Sequence, residues 1–288
     1  MIKINGVSSN RQYIGSLPVF NYKKGYDYSI PFYVENITND IETVYFFITQ
    51  QMNRFDIEVS TDGNNWTVLS YTTDEYSYIS TISLQPGDKV YVRASTTSWA
   101  VRDEYWGIGH IWGMSKVGGN IMSLLYGSSF INQTDFPVDS TDNFRRFFYE
   151  DGNNTLSDVG ELLLPANTLT SSCYYEMFLG TGRLTTAPKL PALNLASHCY
   201  KSMFVSSGIT SIVLPATTLA PYCYNEMFFA AGSISNITCL ATDISAAGCT
   251  EHWLLNVPGS GTFTKNANMS SWTTGVDGIP EGWTVQDA

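Results

Sequence analysis

The residues able to do chemistry in this chain are five cysteines, three histidines and scattered pairs of carboxylates. Four of the cysteines, Cys173, Cys199, Cys223 and Cys249, recur at intervals of 26, 24 and 26 residues, and Cys239 stands between the last two. Such a ladder suits neither disulfides nor zinc. Packed helices sit roughly 8–10 Å apart, whereas a disulfide needs Cα atoms within roughly 7 Å. Zinc sites use close pairs such as C-x2-4-C, which the sequence lacks. The thiols therefore read as small buried hydrophobes. His110, His198 and His252 have no G-x-S-x-G elbow or equivalent to serve, so no hydrolytic triad is expected. Asp103 adjoins Glu104, and Glu176 and Glu226 share one repeat position, which reads as a solvated row on an exposed helix face. The stretch Asp62-Gly63-Asn64-Asn65 offers oxygen ligands but not EF-hand spacing, so it reads as a turn. No catalytic residue, no metal ligand and no cofactor is expected, and the chain reads as a non-enzyme.

Aromatic side chains remain. Tyr174, Tyr175, Tyr200, Tyr222 and Tyr224 recur in the repeats, and Trp106 and Trp112 lie near a joint between two parts of the chain. More than half of these are needed for packing. Those left exposed stack on sugar faces or anchor protein contacts. The candidate binding residues are Tyr175, Tyr222, Trp106 and Trp112.

The elements that must position them come from an internal repeat. LLLPANTLTSSCYYEMF, PKLPALNLASHCYKSMF and IVLPATTLAPYCYNEMF align, and TCLATDISAAGCTEHWL is a decayed fourth copy. Leu164, Leu190, Leu214 and Leu240 keep the cysteines' spacing. Each copy reads as a short strand ended by proline, which cannot donate to a ladder. A helix is expected after it, because Leu219, Cys223 and Met227 stand four apart. One such unit cannot bury its own stripe, so the copies are expected to stack between specialised ends. The segment Thr141–Glu150 reads as a helix with Phe144, Phe147 and Phe148 inward, a degenerate first copy or N-cap.

The fold class expected is α+β and multidomain: an antiparallel β-sandwich, then a short α/β leucine-rich-repeat solenoid with a β cap. The boundaries are 1–25 for an N-terminal arm, 26–117 for the sandwich and 118–288 for the repeat domain. The last divides into an N-cap (118–160), repeats (161–258) and a C-cap (259–288). In the sandwich, Phe55–Val59 alternates with period two, Asp62-Gly63 turns, and Trp66–Leu69 returns. Pro86-Gly87-Asp88 makes a second turn before the strand Lys89–Arg93. In the C-cap, Gly261–Thr264 and Trp283–Val285 read as strands.

The 288 residues carry a formal net charge of −11, with charged residues only 14% and hydrophobic residues 43%. That is enough apolar content for packed cores. The acidic balance excludes a nucleic-acid partner, which needs clustered Lys and Arg. No run of eighteen apolar residues exists, so no membrane insertion is expected. The start has no apolar h-region, so an export signal is not expected, unless a leader has been removed.

The segment Leu-Pro-Ala-Thr-Thr-Leu-Ala-Pro-Tyr-Cys-Tyr-Asn-Glu-Met-Phe resembles the BspA-like leucine-rich repeats of surface proteins of gut Bacteroidales and of their crAss-like phages. The ending Ile279-Pro280-Glu281-Gly282-Trp283-Thr284-Val285 resembles the terminal segment of that family. The resemblance covers residues 118 to 288. The second copy departs from it at Leu193-Asn194, and the fourth lacks Met-Phe. The opening is similar to the arms of phage tail and fibre proteins. The resemblance implies a virion structural protein, a head or tail fibre or decoration subunit displaying an adhesive domain. It would assemble in the host cytoplasm and work on the virion surface, and free thiols suit that compartment. An arm through Ile2, Ile4, Tyr13, Ile14 and Phe20 would attach it to capsid or tail proteins. A host-surface glycan or protein would be the outward partner, and a homo-oligomer is expected. The alternative is a bacterial cell-surface adhesin or glycan-binding protein.

Overall fold

The computed structural model describes residues 12–14, 17–19, 27–49, 57–69, 72–73, 77–95, 107–137, 140–149, 155–270 and 272–288. Within these the chain is β-rich. The strands are β1 (Gln12–Ile14), β2 (Leu17–Val19), β3 (Tyr33–Glu35), β4 (Glu42–Thr49), β5 (Ile57–Ser60), β6 (Thr67–Val68), β7 (Thr72–Thr73), β8 (Ser77–Leu84), β9 (Lys89–Ala94), β10 (His110–Trp112) and β11 (Lys116–Asn120). After a single helical turn, α1 (Ser123–Tyr126), come β12 (Asp158–Leu163), β13 (Ser211–Leu214), β14 (Asn236–Cys239), β15 (Thr262–Lys265) and β16 (Thr284–Asp287).

Two sheets fill the first part, in the orders β10-β4-β8-β7 and β12-β11-β3-β9-β5-β6. Their alternation is that of half-buried strands. In β9, Val90, Val92 and Ala94 are buried while Lys89, Tyr91 and Arg93 are not. In β4, Val44 and Phe46 point inward, and they share one apolar cluster with Val34, Val90 and Val92. The expected hairpin is present, with Glu58 facing Val68 and Val59 facing Thr67. Asp62 holds its turn: one carboxylate oxygen accepts from the backbone N–H groups of Asn64 and Asn65, both at 2.8 Å. These bonds hold the Asp62 carboxyl well below the usual carboxylate range. The second sheet continues past position 117, because β11 pairs antiparallel with β3 and parallel with β12, the latter with a register shift between Lys116 and Gly118.

The repeats form a stack joined by a parallel sheet, β13-β14-β15-β16. Ile212 and Leu214 point inward from β13, and Ser211 and Val213 outward. The strand of the fourth copy is offset by one residue from the sequence alignment, since Leu214 faces Cys239, not Leu240, while the ribbon keeps that alignment, with Tyr224 donating to the Cys249 carbonyl. The second copy contributes no strand. Pro188 stands eleven residues before Cys199, where Ile212 stands before Cys223, and proline cannot join a ladder. The strands expected near the C-terminus are β15 and β16, and they extend the same sheet.

The expected helices do not form, either in the repeats or over the described residues 141–149. Each of these segments is a ribbon of overlapping turns. In the third copy Tyr222, Glu226 and Ala230 all have φ near +55°, so every fourth residue is left-handed. The same holds at His198, Ser202 and Ser206, and at Asp142 and Arg146. A left-handed residue at that interval ends any α-helix. Alternate N–H groups are used in two ways. Those of Cys223, Asn225 and Met227 close local turns on the carbonyls three residues earlier. Those of Tyr222, Tyr224, Glu226 and Phe228 reach the next coil, at Ala247, Cys249, Glu251 and Trp253. The ribbon buries residues i, i+1, i+4 and i+5, the same set that a helix face would bury, which is why the spacing reads as helical. The local residues lean the other way. Ser171, Ser172, Cys173, Tyr174 and Tyr175 are all weak helix formers.

Two columns of rings run through the stacked core. Phe144, Tyr174, Tyr200 and Tyr224 stack at 6.0, 5.7 and 6.1 Å. Phe148, Phe178, Phe204 and Phe228 stack at 5.2, 5.5 and 6.0 Å. The inward direction expected for Phe144, Phe147 and Phe148 is observed, although their helix is not. All five cysteines are unbridged and buried beside the columns. At the C-terminal end Trp253 stacks on Trp272 at 5.5 Å and donates its indole N–H to the Gly278 carbonyl at 2.9 Å. Trp283 donates to Pro258 in the same manner at 2.8 Å.

Of the arm, Tyr13 and Ile14 lie in β1, paired with β2 through Tyr13–Pro18 and Ile14–Leu17. Ile2, Ile4 and Phe20 lie outside the described residues, as do Trp106, Asp103 and Glu104.

Candidate functional site

Between each core pair the ribbon has two intervening positions, some of them buried in turn (Glu176, Ser202 and Asn225), and stacking turns each position into a row. One row runs Arg145, Tyr175, Lys201, Asn225 and Glu251. Tyr175 is half-buried, with the Arg145 guanidinium 4.3 Å and the Lys201 ammonium 5.7 Å from its ring centre. These cations occupy the ring's surroundings by cation–π attraction. A second row runs Arg146, Glu176, Ser202, Glu226 and His252. The expected solvated carboxylate row is not seen there. Glu176 is buried and paired with Arg146, and Glu226 accepts from the Ser202 hydroxyl at 3.2 Å.

The third row runs Ser172, His198, Tyr222 and Gly248, all left-handed. His198 stacks on Tyr222 at 4.9 Å and 15°. Burial and the Lys201 charge lower the pKa of His198, which keeps its ring neutral at neutral pH. At Gly248 the row has no side chain. A Cβ there would stand 2.3 Å from the Tyr222 ring, so the ring leans over the glycine. Beyond it a cleft of about 780 Å³ opens, within the range of ligand pockets. Tyr222, 37% exposed, forms one wall. Asp243, Glu251 and Asp277 stand around it with Thr242, Ser270 and Thr273. The bonds from the Ser245 backbone N–H and hydroxyl hold Asp243 below its ordinary pKa, so it is ionised. No Lys or Arg lines the cleft among the described residues. Hydroxyl, acetamido and amino groups are the chemistry such a lining receives; carboxylates and sulfates are what it repels.

No protein-family model, curated protein or solved structure matches the chain.

Trp112 is placed elsewhere. It stacks on Tyr45 across β4 and β10 at 5.1 Å and 4°, with His110 at 5.0 Å. Its ring belongs to a half-buried cluster on that sheet and not to the cleft. Tyr175 and Tyr222 occupy different rows, so the candidate residues do not form one constellation. The cleft residues that sequence reasoning passed over are Asp243, Gly248, Thr250 and Asp277. The available signal was Gly248, the residue without a side chain at a position that carries Ser172, His198 and Tyr222 in the other copies.

Proposed function

We infer that the chain is a non-catalytic display protein of a phage particle, a fibre or decoration subunit whose repeats form a leucine-rich-repeat-type solenoid facing outward. The observation that carries this reading is the cleft beside Tyr222, set near the far end of a rigid stack. The stack is joined coil to coil by backbone hydrogen bonds and filled by continuous ring columns. A rigid scaffold with its recognition surface far from its attachment suits adhesion. The buried, unbridged thiols favour folding in a reducing cytoplasm, where particles assemble. The resemblance of the repeats to phage and Bacteroidales surface proteins supports the same place. The arm, residues 1–25, would join capsid or tail proteins, and multiple copies would turn weak contacts with a host-surface glycan into strong ones. The test is immunogold labelling and mass spectrometry of purified particles, with the full chain and with residues 1–25 deleted. Labelled particles that lose label on deletion are expected. Particles free of the protein, with label on the bacterial surface, would replace this reading by that of a cell-surface adhesin.

A further inference from the structure

The inter-coil hydrogen bonds of the ribbons all run one way. The N–H groups of Tyr174, Tyr200 and Tyr224 donate to the carbonyls of Cys199, Cys223 and Cys249, at 3.0, 3.1 and 3.0 Å. Those of His198 and Tyr222 donate to Pro221 and Ala247, at 3.1 and 2.9 Å. The fourth coil is the last to have this ribbon. The residues matching Tyr222 and Tyr224 there are Gly248 and Thr250, and among the described residues their N–H groups meet no carbonyl of a further coil. A third donor of the same coil, the His252 N–H, is met by the side chain of Asp277 at 2.8 Å. An oxygen acceptor thus already stands where a fifth ribbon would be. Gly248 and Thr250 line the cleft, which occupies the rest of that vacated space.

A ligand must therefore bring an acceptor to the floor and donors to the carboxyl groups of Asp243 and Glu251 on the walls. It must carry no negative charge, and it must offer an apolar face to Tyr222 and Met269. We propose that the cleft is a binding site for an uncharged acetamido sugar, whose amide carbonyl accepts from the Gly248 and Thr250 N–H groups. Its amide N–H and hydroxyls donate to the wall carboxylates, and its methyl and ring face pack on Tyr222. Two backbone donors left without acceptors discriminate strongly against an analogue that lacks the carbonyl. This deepens the adhesive reading above and rests on it only for the sugar's biological source.

The experiment uses the purified full chain. Backbone amide shifts are followed while the methyl glycosides of N-acetylglucosamine, N-acetylgalactosamine and N-acetylmannosamine are titrated. Each is paired with glucose, galactose or mannose methyl glycoside. At least one acetamido sugar should shift the Gly248 and Thr250 resonances, with its hydroxyl counterpart at least tenfold weaker. Tyr222→Ala should weaken binding at least tenfold. Gly248→Ala, which drives a Cβ into the Tyr222 ring and to 3.2 Å from the Glu251 carboxylate, should do the same. Equal affinity for both members of every pair, no shift with any of the three, or tighter binding of a galacturonate oligomer would each overturn the proposal. So would a response only to a peptide. None of these results bears on whether particles carry the protein, which the labelling experiment decides separately.

Discussion

Phe204 stands at the middle of a column of rings and is fully buried, 5.5 Å from Phe178 and 6.0 Å from Phe228, with planes within 4° of both. Phe204→Leu keeps the position apolar and removes the ring. Each stacked neighbour contributes about 0.5–1.5 kcal/mol beyond area burial, so two lost neighbours cost about 1–3 kcal/mol. The unfilled volume, on the order of 30 Å³ at about 24 cal/mol per Å³, adds about 0.7 kcal/mol. The expected loss is therefore about 2–4 kcal/mol, read as a lower urea midpoint at unchanged slope. The tryptophans at the end of the stack, Trp253, Trp272 and Trp283, report the transition by fluorescence. Leu193→Ala is the control: at 51% exposure it should move stability by no more than about 0.5 kcal/mol. If Phe204→Leu behaves like the control, the columns are not the core of the stack and the register of the coils is wrong.

Three further outcomes follow from the packing. Burial pushes the thiols of Cys223 and Cys239 up to about 12 from 9.0. Their contribution to stability is full below pH 9 and is lost as pH rises from 9 towards 12, by about 1 kcal/mol per thiol per pH unit; iodoacetamide at pH 8 should label none of the five cysteines before denaturation, and rapid labelling of the native chain would refute this. The Tyr174 hydroxyl is buried and finds no hydrogen-bond partner among the described residues. Tyr174→Phe should therefore leave the urea midpoint unchanged or raise stability by about 1 kcal/mol, and a clear loss would reveal an acceptor. A Cβ on Gly118 would stand 2.3 Å from Cζ and the hydroxyl of Tyr33, which bonds Glu161. Gly118→Ala should cost about 1–3 kcal/mol by overpacking, and Tyr33→Leu in the same chain should recover part of it; additive losses in a double-mutant cycle would contradict the contact.

The strands were legible where one face alone is buried, as in Ile212 and Leu214 against Ser211 and Val213, because period two has no competitor. The phase of the cysteines likewise placed them in the core. The ribbons were not legible as ribbons. Cys223, Tyr224, Met227 and Phe228 satisfy a helix face equally well, and the difference lies in where alternate N–H groups go, which is a contact with another coil some 25 residues away. The low helix propensity of Ser, Cys and Tyr was the local clue, and it was outweighed by spacing. The cleft was invisible for a related reason. Asp243, Gly248, Thr250 and Asp277 have no motif in common, and what unites them is the ribbon that the fifth coil lacks. Tyr222 was found because an exposed aromatic carries its own signal, whereas a missing side chain does not.

The one-way bonding also governs how copies of the chain can meet. At the near end, the N–H groups of Ile108 and Ile111 donate to the carbonyls of Asn143 and Phe147, so two of the first ribbon's acceptors are already satisfied from within the chain. At the far end the ribbon shows donors. Two identical far ends brought together about a twofold axis would set these backbone N–H groups against each other, and a head-to-tail contact would find the Asn143 and Phe147 carbonyls already engaged. Symmetric self-association of this chain is thus steered away from the ribbon tip, whichever other surface it uses.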